Sequence, residues 1–162
     1  MSTFEQRQFA RRQALNNKFV QFNRKFISMQ GPETDQLVEW GKIVTPYPRT
    51  ICTERFPLRS RNEEALAVIV PNIPELQRLG LSRPTFEQAI RFSSQLTPKD
   101  GHEGKTLVFP SDPPFSGDVL PRIPCWLTLA WRPAREFSEL CLYFVERACW
   151  PENTLVVGFA AL

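Results

Sequence analysis

The side chains with chemistry to offer in this 162-residue chain are one histidine, four cysteines, a few paired carboxylates and a Gly-Lys-Thr turn. His102 lies in Lys99-Asp100-Gly101-His102-Glu103-Gly104-Lys105, a polar turn where a solvated imidazole is expected. As a lone general base, it is the residue on which any enzymatic reading rests. Gly104-Lys105-Thr106 shares the end of the phosphate-cradling loop G-x-x-x-x-G-K-[ST]. Lys99, however, stands where the first glycine is required, and Thr106 to Phe109 reads as strand where that loop needs a helix. An ordinary turn is the expectation there. Glu63 with Glu64, and Glu136 with Glu139, read as solvated faces without a cleft to separate their acidities. Asp112 and Asp118 read as turn formers.

Cys52, Cys125, Cys141 and Cys149 show no C-x-x-C spacing, and one imidazole cannot complete a zinc set. Neither a metal site nor a cofactor is expected. The cysteines sit in apolar contexts such as Pro124-Cys125-Trp126-Leu127, which suits buried reduced thiols and a cytoplasmic location. Arg7 to Arg12 interrupts any apolar run at the start, so no export signal is expected. No stretch approaches the roughly 18 apolar residues that span a bilayer.

Charge is unevenly placed. Residues 1–30 hold Arg7, Arg11, Arg12, Lys18, Arg24 and Lys25 against the single acid Glu5, leaving 14 basic and 16 acidic residues for the remainder. Phe4, Phe9, Leu15, Phe19, Phe22, Phe26 and Met29 are interleaved with these cations. Ser2-Thr3-Phe4-Glu5 has capping-box spacing, and Leu15, Phe19, Phe22, Phe26 and Met29 follow at steps of three and four, which predicts an amphipathic helix up to Gly31-Pro32. A partner of opposite character is expected for this arm: a protein groove for the apolar stripe, with nucleic acid as a further ligand of the basic face. The residues assigned to that contact are Arg7, Arg11, Arg12, Lys18, Phe19, Phe22, Arg24, Lys25 and Phe26.

The elements behind the arm fill residues 31–162, read as one α+β domain whose small mixed or antiparallel sheet is covered by helices on one face. Pro32 opens a short helix through Leu37, Val38 and Trp40, closed by Gly41. Thr45-Pro46-Tyr47-Pro48 is extended, and residues 49–57 read as an edge strand. Glu64 to Val70 reads as a buried strand closed by Pro71, Cys125 to Trp131 as a second and Thr154 to Ala161 as a third. Seven prolines between residues 98 and 133 mark a loop anchored by Leu107, Val108, Phe109, Phe115 and Val119. Residues 134–149 carry Phe137, Leu140, Cys141, Phe144, Val145 and Ala148 on a helical stripe. Residues 125–161 would then form a βαβ unit.

Residues 75–96 read as two helices around Gly80, the second capped by Ser82 with Pro84 in its first turn. Leu79-Gly80-Leu81-Ser82-Arg83-Pro84-Thr85-Phe86 resembles the turn and recognition-helix start of helix-turn-helix transcription regulators. That resemblance implies a DNA-reading face at Arg83, Glu87, Gln88 and Arg91. The reading adopted is a non-catalytic accessory subunit of a cytosolic assembly that docks through its arm. A DNA-binding regulator using residues 75–96 is the alternative, and an enzyme centred on His102 a third.

Overall fold

The computed structural model describes residues 2–40, 52–114, 124–132, 137–146 and 150–161. Gly41, the Thr45–Pro48 stretch, Phe115, Asp118, Val119, Glu136, Ala148 and Cys149 lie outside the described residues, as do residues 49–51 of the expected edge strand. The class is α+β. A mixed six-stranded sheet runs in the order β1 (Asn23–Ser28), β4 (Glu64–Val70), β8 (Thr154–Ala161), β5 (Thr106–Phe109), β6 (Cys125–Arg132) and β7 (Phe137–Phe144). β5 and β8 are parallel, and every other pair in it is antiparallel. β2 (Thr34–Trp40) and β3 (Cys52–Leu58) form a separate antiparallel pair.

β4 is the pivot of the packing. Ala65, Ala67 and Ile69 join a cluster with Ile27, Phe92, Phe109, Leu127, Val157 and Phe159. Leu66, Val68 and Val70 join a second cluster with Phe19, Leu76, Leu81 and Val156. Strand side chains alternate between faces, so the two sets lie on opposite sides of the sheet. Helix α3 (Phe86–Gln95) lies on the first side, through Ala89 and Phe92. Helix α2 (Ile73–Arg78) and the root of α1 (Thr3–Lys18) lie on the second, through Leu76, Leu15 and Phe19. The helices are thus shared between the two faces instead of being gathered on one, and an unbroken Ala-Leu-Ala-Val-Ile-Val run is what a strand covered on both sides requires.

Three expected helical stretches are strand or turn. The capping box forms, with Glu5 N–H donating to the Ser2 hydroxyl at 3.1 Å and Ser2 N–H to the Glu5 carboxylate at 3.3 Å, but α1 ends at Lys18. Residues 23–28 then pair with β4, so Arg24 and Phe26 face one side and Lys25 and Ile27 the other. Phe19, Phe22, Phe26 and Met29 match helical steps by coincidence of spacing. Residues 34–40 are likewise strand, because Thr34, Val38 and Trp40 are residues that favour the pleat and β3 supplies the ladder. Residues 137–144 form β7, antiparallel to β6 from Cys125↔Phe144 to Arg132↔Phe137. A near-continuous run such as Leu-Cys-Leu-Tyr-Phe fits both periods, and the four residues joining β6 to β7 are of hairpin length, which excludes a βαβ crossover.

The α2–α3 hairpin is present, with Gly80 at φ +68° and Leu81 buried. Ser82 does not cap the second helix. It exchanges backbone hydrogen bonds with Phe159 at 2.8 and 3.0 Å, and Thr85 caps α3 through a reciprocal box with Gln88. This bridge draws α2 onto β8 at Gly158, where a Cβ would lie 2.9 Å from Leu81 Cβ and 3.1 Å from Leu76. Gly158→Ala is therefore expected to lower stability by about 1–3 kcal/mol through overpacking, read as an earlier urea midpoint with an unchanged slope.

Candidate interaction helix and the buried polar groups

Helix α1 is two things in one element. Its last turn is anchored: Leu15 is half-buried in the second cluster, and the capping residue Phe19 is 1 % exposed. Two cations fix the angle of the anchor. Arg24 Nε donates to Asn16 Oδ1 at 2.6 Å, and its Nη1 donates to the carbonyls of Val20 and Phe22 at 3.3 and 3.1 Å, closing the reversal from helix into β1. Arg12 reaches Glu64 at 3.0 Å and lies 4.3 Å from the centroid of the Phe26 ring, an ion pair and a cation–π contact together.

The other half of α1 packs on none of the described residues. The helix buries none of its own residues, and Phe4 and Phe9 are 72 % and 58 % exposed. Phe4, Arg7, Gln8 and Arg11 border one hollow on its surface, and Phe4, Gln8, Arg11 and Leu15 succeed one another at steps of four and three. The exposed stripe is hence continuous with the one that anchors the helix. Arg7 and Arg11 make no ion pair among the described residues, and the single acid, Glu5, is occupied in the capping box. A 16-residue helix that packs only its last turn has little reason to persist in water by propensity alone. Its cap and its root hold it out as a preformed projection.

The nine arm residues singled out in the sequence consequently separate. Phe19, Phe22 and Phe26 belong to the body; Arg12, Arg24 and Lys25 are engaged with Glu64, Asn16 and Asp100; Lys18 lies 5.3 Å from the Phe19 ring centroid. Arg7 and Arg11 stay outward, joined by Phe4, Gln8 and Phe9. Those three lie outside the Leu15–Met29 stripe on which the sequence expectation rested.

The helix-turn-helix set is used within the fold. Gln88 closes the Thr85 box, and Glu87 accepts the Arg59 backbone N–H at 3.2 Å and pairs with Arg61 at 3.6 Å. Arg91 is 5 % exposed, donating to the carbonyls of Pro32 and Arg59 at 3.4 Å with Nε unpartnered. Arg83 is half-buried. The helix expected to read DNA lies with Ala89, Ile90 and Phe92 in the interior, so the four residues share no open face.

His102 is not solvated. It is 3 % exposed, its ring centroid is 6.3 Å from that of Phe92, and Nδ1 has no hydrogen-bond partner. Burial pushes its pKa below the ordinary 6.5, with Lys105 and Lys25 adding to the effect and Asp100 opposing it. Beside it, Lys25 Nζ lies 3.2 Å from both Asp100 oxygens. Burial raises the Asp100 carboxyl, but hydrogen bonds from Thr97 and Lys25 outweigh it and hold the pKa below the usual range. Gly104 sits in a turn at φ +74° ahead of β5, so no phosphate-binding helix follows it. No group of three or more His, Cys, Asp or Glu suited to a metal occurs among the described residues. No helix among them is long and apolar enough to cross a membrane.

The chain matches no family model, no curated protein sequence and no solved structure.

The buried imidazole fixes a pH response. His102 binds its proton more readily unfolded than folded, so its contribution to stability is complete above pH 6.5 and is lost as the pH falls below that value. Asp100 acts in a lower window, its contribution lost only as the pH falls below 3.8. Urea titrations across pH 4.5–7.5, a range of about three units, should show declining stability on the acid side, and His102→Leu should flatten that slope while Asp100→Asn should not.

Proposed function

We propose that this protein is a non-catalytic docking subunit whose N-terminal helix seats residues 3–11 in an apolar groove with an acidic rim on a partner protein. The observation that carries the reading is the division of α1 into an anchored root and a bare, capped projection bearing Phe4, Phe9, Arg7 and Arg11. Phe4 and Phe9 stand five residues apart, about 140° around the helix, so they flank it and meet opposite walls of a groove, while Arg7 and Arg11 steer the helix toward an acidic rim. Because the helix is already formed, binding avoids most of the ordering cost that a disordered arm would incur.

The alternatives have weaker support. Nucleic acid would meet only Arg7, Arg11 and Lys18 on α1, and few phosphate contacts give a small counterion-release term. A regulator using residues 75–96 would have to free Gln88, Glu87 and Arg91 from the fold. Catalysis by His102 would require a substrate path to a side chain packed against Phe92. Buried Cys125 and Cys141 thiols favour a reducing, cytoplasmic setting for the complex.

The test compares affinity capture, from extract with and without nuclease treatment, by the wild-type chain and by a Phe4→Ala/Phe9→Ala chain. One protein partner should be retained by the first and weakened more than about tenfold by the second, with unfolding free energies matching within about 0.5 kcal/mol since the changed side chains are exposed. Arg7→Glu/Arg11→Glu should reduce retention and its salt sensitivity together. Equal capture by wild type and the phenylalanine variant defeats the proposal. Retention that vanishes on nuclease treatment transfers the reading to nucleic acid.

A further inference from the structure

Among the described residues, the second face of the sheet is only partly covered. Helix α2 packs on β4 and β8, and beyond it a pocket of about 400 Å³ opens over β5, β8 and the start of β6. Its floor is Val108 and Val156, which are 3 % and 7 % exposed and sit opposite one another in the parallel β5–β8 pair. Trp126 and Trp150 supply indole walls, and Pro74 and Asn72 at the start of α2 form part of the lip. We propose that this pocket is a binding site for a neutral, flat aromatic molecule that carries a hydrogen-bond acceptor.

The chemistry of the lining makes that choice. Among the described residues none that lines the pocket is charged, so these walls offer an ionic ligand no countercharge for its lost hydration. Trp126 Nε1 already donates to the Ser111 carbonyl at 3.1 Å, and that indole therefore presents hydrocarbon and ring surface to the pocket, suited to stacking on another ring. The Thr154 hydroxyl donates to the Pro151 carbonyl at 2.6 Å, so that donor is taken as well. Asn72 differs. Its Oδ1 is fixed by the Glu75 backbone N–H at 2.9 Å as the α2 cap, which holds the amide in one orientation, and its NH2 group meets no acceptor among the described residues. A rim that offers a donor selects a ligand that brings an acceptor. The volume lies at the small end of ligand pockets, which suits a two- or three-ring molecule and is too little for an extended peptide.

The probe is prodan, a neutral naphthalene dye with a carbonyl acceptor, titrated into the full chain and followed by its emission shift. Saturable single-site binding is expected, and a sulfonated anilinonaphthalene dye of similar ring size should bind at least about tenfold more weakly. Trp150→Ala removes a wall and should weaken prodan by a similar factor. Asn72→Asp preserves the helix cap, so folding is retained, while it replaces the amide donor with a charge; it too should cost about tenfold. Absence of saturable binding, equal affinity for the sulfonated dye, or wild-type affinity in Asn72→Asp would each overturn the assignment.

Discussion

Ala65, Ala67 and Ile69 of β4 point into one hydrophobic cluster while Leu66, Val68 and Val70 point into the other, and the strand is hydrogen-bonded to β1 on one side and β8 on the other. Neither half of the molecule closes without it. The small alanines let α3 approach one side closely, and the branched residues fill the space beneath α2 and Phe19 on the other. Each fully buried large apolar side chain contributes about 1.5–3 kcal/mol, and a strand apolar on both sides lets Leu66, Val68, Ile69 and Val70 all contribute. β1 inherits this constraint, since once it pairs with β4 its own alternation dictates that Arg24 faces α1 and Lys25 faces Asp100.

Most of the basic character of residues 1–30 is explained by that alternation. Arg24 ties the chain reversal between α1 and β1, Arg12 joins α1 to β4 through Glu64, and Lys25 joins β1 to the turn around Asp100. These ties are partly exposed and individually modest. Their value is geometric, because together they set the direction in which the bare half of α1 leaves the body. A projection of fixed direction can serve recognition in a way a frayed terminus cannot.

The two buried polar side chains on the α3 side have a different character. Arg91 fills the space beside Gly31, where a Cβ would come within 2.2 Å of its Nη1, and it donates to carbonyls from two chain segments that flank the β2–β3 pair. His102 holds the turn ahead of β5 against Phe92. Both keep an unpartnered nitrogen in the interior, a standing cost of about 1–3 kcal/mol for each unmet donor or acceptor. That side of the sheet is correspondingly the one with a built-in sensitivity to acid.

The sequence by itself determined the α+β class, the strands at Glu64–Val70, Cys125–Trp131 and Thr154–Ala161, the capping box at Ser2 and the turn at Gly80, because each is encoded by neighbours: an unbroken apolar run between breakers, reciprocal hydroxyl and carboxylate spacing, a glycine at positive φ. Tertiary structure decided the rest. Phe22, Phe26, Leu37, Phe137 and Leu140 have spacings that satisfy helix and strand alike, and the choice between them fell to distant partners: β4 for residues 23–28, β3 for residues 34–40 and β6 for residues 137–144. The fate of each charge was equally non-local. Arg7 and Arg24 are indistinguishable by type, yet one faces solvent and the other caps a reversal, because a side chain's partner is set by which strand lies across from it. The polar context of His102 gave no sign of burial, since Phe92, whose ring lies beside it, belongs to helix α3 and not to the polar turn around it.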